Sequence, residues 1–151
     1  MEIKEKISDV FNILHDGSIE QWWANQQILT LKVSCQYLAE LRGPGFSFFF
    51  IDLVGIKILE LMPWPDIGQT NIILTQYKDI FAGKLELLSA KILRDKVHIE
   101  CNQRSKDLPY FGGVLVLEAE NITIYDEAEM ILTLEELNKL CTTYWERVKN
   151  R

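Results

Sequence analysis

The sequence is poor in the residues from which most reactive centres are built. Among its 151 residues are two histidines, His15 and His98, and three cysteines, none of them in a C-x-x-C spacing. A zinc ion needs three or four such side chains grouped together. P-loop, G-x-G-x-x-G and G-x-S-x-G patterns are missing as well, so nucleotide, dinucleotide and serine-hydrolase sites lack their minimum residues. We therefore expect a protein that is not an enzyme, with no catalytic residue, no metal ligand and no cofactor.

Long apolar runs and a surplus of basic residues are also missing. Apolar stretches such as residues 48–51 are far shorter than the roughly 20 residues that a membrane helix needs. Sixteen basic against 22 acidic residues give a net charge of −6, which opposes attraction to the phosphate backbone of nucleic acids. We expect binding neither to nucleic acid nor to membranes, and the oligomeric state is left open.

The cysteines bear on the cellular compartment. Cys35, Cys101 and Cys141 are odd in number, are scattered along the chain, and fall on the apolar faces of their segments. Buried free thiols fit this pattern better than a disulfide framework does. A reducing compartment follows, and we expect a cytoplasmic protein.

Apolar periodicity predicts one globular α+β domain over residues 1–151. Residues 2–14 have the spacing of an amphipathic helix, and residues 70–81 that of a short crossover helix. Nine segments have strand character, namely residues 18–23, 29–37, 46–51, 56–62, 85–93, 96–102, 113–119, 121–126 and 130–132. We expect about eight or nine mostly antiparallel strands in a curved sheet or partial barrel.

The last predicted element is a helix. Thr133 and Glu136 form an S/T-x-x-E capping box, which marks its start. A stripe of apolar residues follows at helical spacing, formed by Leu134, Leu137, Leu140, Cys141, Tyr144 and Val148. We expect this C-terminal helix to pack on the sheet and to cover one open face of it.

One long window of the chain has charge of a single sign. From Asp107 to Asn138 there are eight carboxylates and not one Lys or Arg. Because strands are predicted here, the negative charges should gather on one ordered surface. A charge run is often only a solvated face that protects strand edges, and this interpretation stands beside that of a partner surface. The candidate partner-binding residues are Glu118, Glu120, Asp126, Glu127 and Glu129.

The adjacent pair His15 and Asp16 offers a different interpretation. Such pairs occur in metal-dependent phosphohydrolases, but this chain supplies too few further ligands. The simpler account is structural, because a histidine at a helix C-terminus faces the negative end of the dipole and an aspartate stabilises the turn that follows. The structural account is favoured over catalysis.

The tryptophans are most simply explained as core and sheet-face packing. Trp22 and Trp23 are neighbours in a predicted strand and must point to opposite faces, so one of them lies on an outer surface. If the curved sheet instead encloses a pocket, its candidate ligand-binding residues are His15, Asp16, Trp23 and Trp64.

Residues 11–19, with the pattern F-x-x-L-H-D-G-S-I, precede the alternating strand at 29–37. This opening resembles a pattern in small uncharacterised bacterial proteins, some of them grouped with immunity proteins of polymorphic toxin systems. The resemblance implies an α+β protein that binds rather than catalyses. It covers only the first part of the chain and implies no site residues beyond the match at His15, Asp16 and Gly17.

Together these patterns favour a non-enzymatic, immunity-like interaction module that presents an acidic surface to a protein partner with a basic surface. The alternative is a small-ligand-binding or hydrolytic protein with an aromatic-lined pocket near His15 and Asp16. The two hypotheses differ in whether the acidic side chains or the aromatic side chains are brought together.

Overall fold

A computed structural model of the chain describes residues 1–64 and 72–150. Its helices are α1 (Ile3–Ile13), α2 (Gln36–Ala39), α3 (Tyr77–Ile80) and α4 (Leu134–Lys149). Its strands are β1 (Ser18–Ala24), β2 (Ile28–Ser34), β3 (Phe48–Pro63), β4 (Leu85–Leu93), β5 (Lys96–Gln103), β6 (Gly112–Tyr125) and β7 (Ile131–Leu132). The predicted α+β class, with a helix near each end of the chain, is confirmed.

All pairings between the named strands are antiparallel. The strand order is β3-β2-β1-β4-β5-β6-β7, and β3 also pairs with β6. This last pairing joins six strands into a ring, to which β7 is added at the edge of β6. Apolar side chains on the inner face of the ring form the core together with the buried stripe of α1.

The described residues form seven strands, so the expected count of eight or nine was too high. Residues 46–51 and 56–62 belong to one strand, β3, which continues through Gly55. Gly55 has a φ of +62° and lies beside a shift of register between Ile56 and Ile58. A glycine that interrupts a strand pattern is a common mark of such a bulge. Residues 113–119 and 121–126 likewise form the single strand β6.

Two further boundaries differ from the predictions. The strand predicted at residues 29–37 ends at Ser34, and α2 begins two residues later. Of the helix predicted at residues 70–81, the stretch from Tyr77 to Ile80 is helical, and residues 70 and 71 lie outside the described part. Both differences have the same cause. Over a few residues, apolar periodicity alone does not separate a short strand from a short helix.

Helix α1, rather than α4, covers the sheet. It lies against β4, β5 and β6, and its Val10 and Phe11 are fully buried. Helix α4 packs on α1, α2 and β7, and Leu137 is its one buried residue. The predicted capping box at Thr133 and Glu136 is present. The stripe on α4 is therefore real, but most of its side chains stay half-exposed at the rim of the core.

An asparagine on α1 protects the edge of β4. Strand β1 pairs with β4 only through Ser18 and Ile19, so the rest of that edge of β4 has no strand beside it among the described residues. The Asn12 carboxamide takes the place of a strand: Nδ2 donates to the Ala90 carbonyl at 2.8 Å, and Oδ1 accepts from the Ala90 N–H at 2.7 Å. The side chain thus docks α1 to the sheet while satisfying backbone groups that attract other strands.

Replacement of Asn12 by alanine should lower the free energy of unfolding by about 1–2 kcal/mol, because two hydrogen bonds are lost. Asn138→Ala is the matched control, since Asn138 is an exposed residue of α4 and the same exchange gains the same helix propensity of about 0.5 kcal/mol. Urea unfolding measures both. Equal stability of the two variants would contradict the role of Asn12.

Candidate functional site

The structure divides the five candidate partner-binding carboxylates into two groups. Asp126 is only 3% exposed. Its Oδ2 accepts from Arg42 Nε at 3.0 Å, and its Oδ1 accepts from the N–H groups of Ala128 and Met130 at 2.8 and 3.1 Å. A buried carboxylate needs such donors to replace water. The expectation that Asp126 contacts a partner is therefore corrected: it holds the turn between β6 and β7.

Glu127 also has a partner within the fold. Its Oε1 accepts from the N–H groups of Ser47 and Phe48, at 2.7 and 3.0 Å. These N–H groups lie at the start of β3, so the side chain ties the β6–β7 turn to that strand. Glu127 is half-buried, and this carboxylate oxygen is already occupied.

Residues 107–138, the acidic window, contain no Lys or Arg. The basic group that pairs with Asp126 comes from Arg42, elsewhere in the chain. Arg42 follows α2, and it also approaches Glu136 of α4, with Nη1 3.6 Å from Oε2. One guanidinium thus links the β6–β7 turn, the end of α2 and the start of α4. No local sequence pattern predicts this link, because Arg42 and Asp126 are more than eighty residues apart in the chain.

The other three candidates remain on the outside of the fold. Glu118 and Glu120 lie two residues apart on β6, which is about 7 Å along a strand, and Glu129 is exposed in the β6–β7 turn. On β3, Asp52 and Glu60 sit between buried neighbours and so face outward as well. We call Asp52, Glu60, Glu118 and Glu120 the outer carboxylates. Lys57, exposed on the β3 bulge, is a cation in the same ribbon.

Aromatic side chains lie on the same outer face as Asp52, outside the core, two residues from it along β3 at Phe50. The ring of Phe50 lies 6.4 Å from that of Trp23 and 6.5 Å from that of Phe48, measured between centroids. Phe50 pairs across the strands with Tyr125, and Tyr125 pairs with Ile131. We call this set, Trp23, Phe48, Phe50, Tyr125 and Ile131, the aromatic face.

The aromatic face is accessible at its two ends. Trp23 is 50% exposed and Ile131 is 60% exposed, as is the neighbouring Met130 at 59%. Trp22, by contrast, turns inward and packs with Tyr77 and Phe81. The prediction that the two adjacent tryptophans point to opposite faces is confirmed.

Polar contacts order the middle of this surface. The Thr30 hydroxyl donates to Asp52 Oδ1 at 2.7 Å. Burial, followed by the charge of Asp52 and a hydrogen bond with it, raises the pKa of the Tyr125 hydroxyl above its usual value. The Lys32 ammonium lies 3.9 Å from the centroid of the Phe48 ring, a cation–π contact. Asp52 is thus bound among the aromatic side chains, and Lys32 is held against the Phe48 ring.

His15 and Asp16 lie on the turn between α1 and β1. The His15 ring is stacked on that of Trp145 in α4, with 6.2 Å between centroids and 5° between planes. Its carbonyl accepts from the Tyr37 hydroxyl at 2.8 Å. Asp16 has a φ of +68°, and its side chain is 71% exposed. Both residues therefore shape the turn, and His15 also contacts α4 through Trp145.

The four candidate pocket residues are not brought together. A surface depression of about 440 Å³ contains Asp16. The described residues that line it are Asp16, Ser34, Cys35, Gln36, Tyr37, Glu40 and Ser47. Trp23 instead belongs to the aromatic face, and the Trp64 N–H donates to the Gly112 carbonyl at 2.9 Å. The alternation of strands shows which face a tryptophan occupies, but not how far along the sheet it lies.

The described residues form no group of three or more His, Cys, Asp or Glu side chains that could hold a metal ion. Burial raises the pKa of the thiols of Cys35 and Cys101 to about 12 each. Both stay protonated near neutral pH, and only the thiolate is a strong nucleophile. Within the described part of the chain, no helix is both long and apolar enough to cross a membrane.

Arg42→Gln should lower the free energy of unfolding by about 2 kcal/mol, because it leaves the Asp126 carboxylate buried without its cation. Arg104→Gln is the control: Arg104 is 80% exposed and lies 3.4 Å from Glu86, and an exposed pair contributes at most about 1 kcal/mol. Chemical denaturation compares the two. A loss for Arg42→Gln no larger than that for Arg104→Gln would show that the ion pair is not structural.

Thiol labelling should distinguish the three cysteines. Cys141 is half-exposed, whereas Cys35 and Cys101 are buried, so iodoacetamide at mildly alkaline pH should modify Cys141 first. Mass spectrometry of the native protein measures the order, and Cys141→Ser should remove the fast phase. Modification of Cys35 as fast as Cys141 would reveal an activated thiol, contrary to its raised pKa.

The geometry therefore offers an exposed aromatic face, carboxylates along the ribbon of β3 and β6, and several surface depressions, among them the one beside Asp16. Comparison of the chain with known protein families, with curated proteins and with solved structures gave no match to any of them.

Proposed function

We propose that the chain is a non-enzymatic interaction module that binds a protein partner with a basic surface. The aromatic face is the centre of the contact, and the outer carboxylates along the ribbon of β3 and β6, with Glu129 in the β6–β7 turn, supply the negative charge. The observation that carries this proposal is the placement of aromatic side chains on the outer face of the ring, where they contribute little to the core. Bound partners supply the burial that such side chains lack in the free protein.

The composition of the aromatic face fits a protein contact. Trp and Tyr are the side chains that most often contribute large shares of binding energy, and Phe and Met are enriched at interface centres. Trp23 and Tyr125 each have a large apolar surface and one polar group, and they lie on strands rather than loops. A rigid surface of this kind loses little conformational entropy when it is covered.

The carboxylates on the outside of the fold favour a basic partner. Asp52, Glu118 and Glu120 lie on the ribbon of β3 and β6, and Glu129 is in the turn that leads to β7. Complementary charge speeds the encounter of two proteins and excludes partners of the wrong sign. A partner with exposed Lys and Arg around an apolar patch matches both parts of the surface.

The alternative, a small-ligand-binding or hydrolytic protein with an aromatic-lined pocket, has less support. No tryptophan among the described residues lines the depression that contains Asp16, so the tryptophan side chains expected to line such a pocket are not gathered there. The resemblance of residues 11–19 to immunity-like proteins adds to the interaction proposal, since immunity proteins act by binding. A cytoplasmic location agrees with the odd number of free cysteines.

The test needs the partner, which affinity capture from the native host supplies for kinetic measurement with purified proteins. The triple charge reversal Glu118→Lys, Glu120→Lys and Glu129→Lys should slow association by about tenfold or more at low salt and flatten its salt dependence. Trp23→Ala should mainly speed dissociation, with a loss of affinity of about tenfold. These two variants examine charge and apolar contact separately.

Matched controls share the chemical change but not the location. The reversals Glu5→Lys, Asp107→Lys and Glu146→Lys alter the net charge equally at exposed sites, and Phe111→Ala removes an aromatic ring that is 76% exposed. Both controls should leave the association rate and the affinity close to those of the unaltered protein. If the captured partner binds the test variants and the controls alike, the proposed surface is wrong.

A further inference from the structure

A cleft of about 290 Å³ lies between the end of α2 and one side of α4. Three basic side chains line it, Arg42, Lys139 and Arg147, together with the Thr143 hydroxyl group and the Glu136 carboxylate. This grouping stands out in a chain whose net charge is −6. The fold brings basic side chains from two separate parts of the sequence into this cleft.

Helix geometry explains one wall of the cleft. Lys139, Thr143 and Arg147 are spaced four residues apart on α4, which places them in a row on one face of the helix. Lys139 and Arg147 are eight residues apart, about two helical turns, with the neutral Thr143 between them. Within residues 1–64 and 72–150, neither Lys139 nor Arg147 has a carboxylate within the 4.0 Å that defines an ion pair.

Arg42 forms the opposite wall and is held in place before any ligand arrives. Its Nε donates to the buried Asp126 at 3.0 Å. The guanidinium group has four further N–H donors on its two Nη atoms. The structure gives the Nη atoms a single ion-pair contact in the described ranges, that of Nη1 with Glu136 Oε2 at 3.6 Å, which is too long for a good hydrogen bond.

Glu136 offsets the positive charge at one end of the cleft only. Its Oε1 accepts from the Thr133 N–H at 3.2 Å within the capping box at the start of α4. That contact holds the carboxylate at one end of the row, one helical turn before Lys139 and Leu140. The far end, with Thr143 and Arg147, keeps its positive charge.

We propose that this cleft binds a small oxyanion of the phosphate type. A fixed guanidinium fork, an ammonium group, a second guanidinium and a hydroxyl donor are together the groups that recognise phosphate oxygens. The site uses no residue of the aromatic face and none of the outer carboxylates, so it is independent of the proposed partner surface. A bound anion would also bridge α2 and α4, which are otherwise in limited contact.

Titration of the full chain with inorganic phosphate, followed by ¹H–¹⁵N NMR, tests the site. Amide signals of Arg42, Lys139 and Thr143 should shift and saturate, with a dissociation constant on the order of 1 mM for a few charge-assisted contacts. Sulfate should act similarly, and sodium chloride at equal ionic strength should not. The double reversal Lys139→Glu with Arg147→Glu should weaken phosphate binding by about tenfold or more.

The control Lys91→Glu with Lys106→Glu makes the same change of net charge at two exposed lysines outside the cleft, and it should bind phosphate as the unaltered protein does. If the first reversal impairs folding, Lys139→Gln with Arg147→Gln replaces it. The proposal is overturned if phosphate shifts do not saturate, if chloride reproduces them, or if both double variants weaken them equally.

Discussion

The ion pair of Arg42 with Asp126 is the contact on which the arrangement of the β6–β7 turn, α2 and α4 depends. It joins the turn between β6 and β7 to the end of α2, and through Glu136 it reaches α4. Because Asp126 is almost fully buried, its charge must be neutralised by a fixed donor rather than by water. The pair thereby positions the β7 end of the aromatic face and also the Arg42 wall of the cleft between α2 and α4.

The acidic window has two physical roles rather than one. Asp126 and Glu127 accept hydrogen bonds from the backbone and from Arg42, and so they belong to the scaffold. Glu118, Glu120 and Glu129 stay in contact with solvent and are available to a partner. The charge of Asp126 is neutralised by Arg42, whereas Glu127 is bound to neutral N–H groups and keeps its charge.

Sequence patterns predicted the elements whose causes are local. The alternation at residues 29–37 predicted strand β2, and the capping box at Thr133 predicted the start of α4, because both depend on neighbours in the chain. Gly55 was misinterpreted as a strand boundary, since a glycine gives the same signal at a bulge and at a break. That error, with its counterpart in β6, accounts for the excess of predicted strands.

The sites were harder to predict because they depend on distance through space. Nothing near Arg42 in the sequence indicates its partner, and the strand pattern that turned Trp23 outward could not show that Trp64 lies against Gly112. The aromatic face requires the register of β3 with β6, which is set by pairings of long sequence separation. Strand alternation alone predicted only that one of Trp22 and Trp23 points outward.

The amide of Asn12 gives α1 a protective role in addition to its place in the core. When the helix is undocked, the β4 edge near Ala90 regains an unpaired donor and acceptor beside a row of apolar side chains. Such an edge is a template for the strands of other molecules, including further copies of the same chain. Local fraying of α1 would therefore promote self-association while the sheet is still folded. The earliest sign of instability would be aggregation rather than loss of secondary structure.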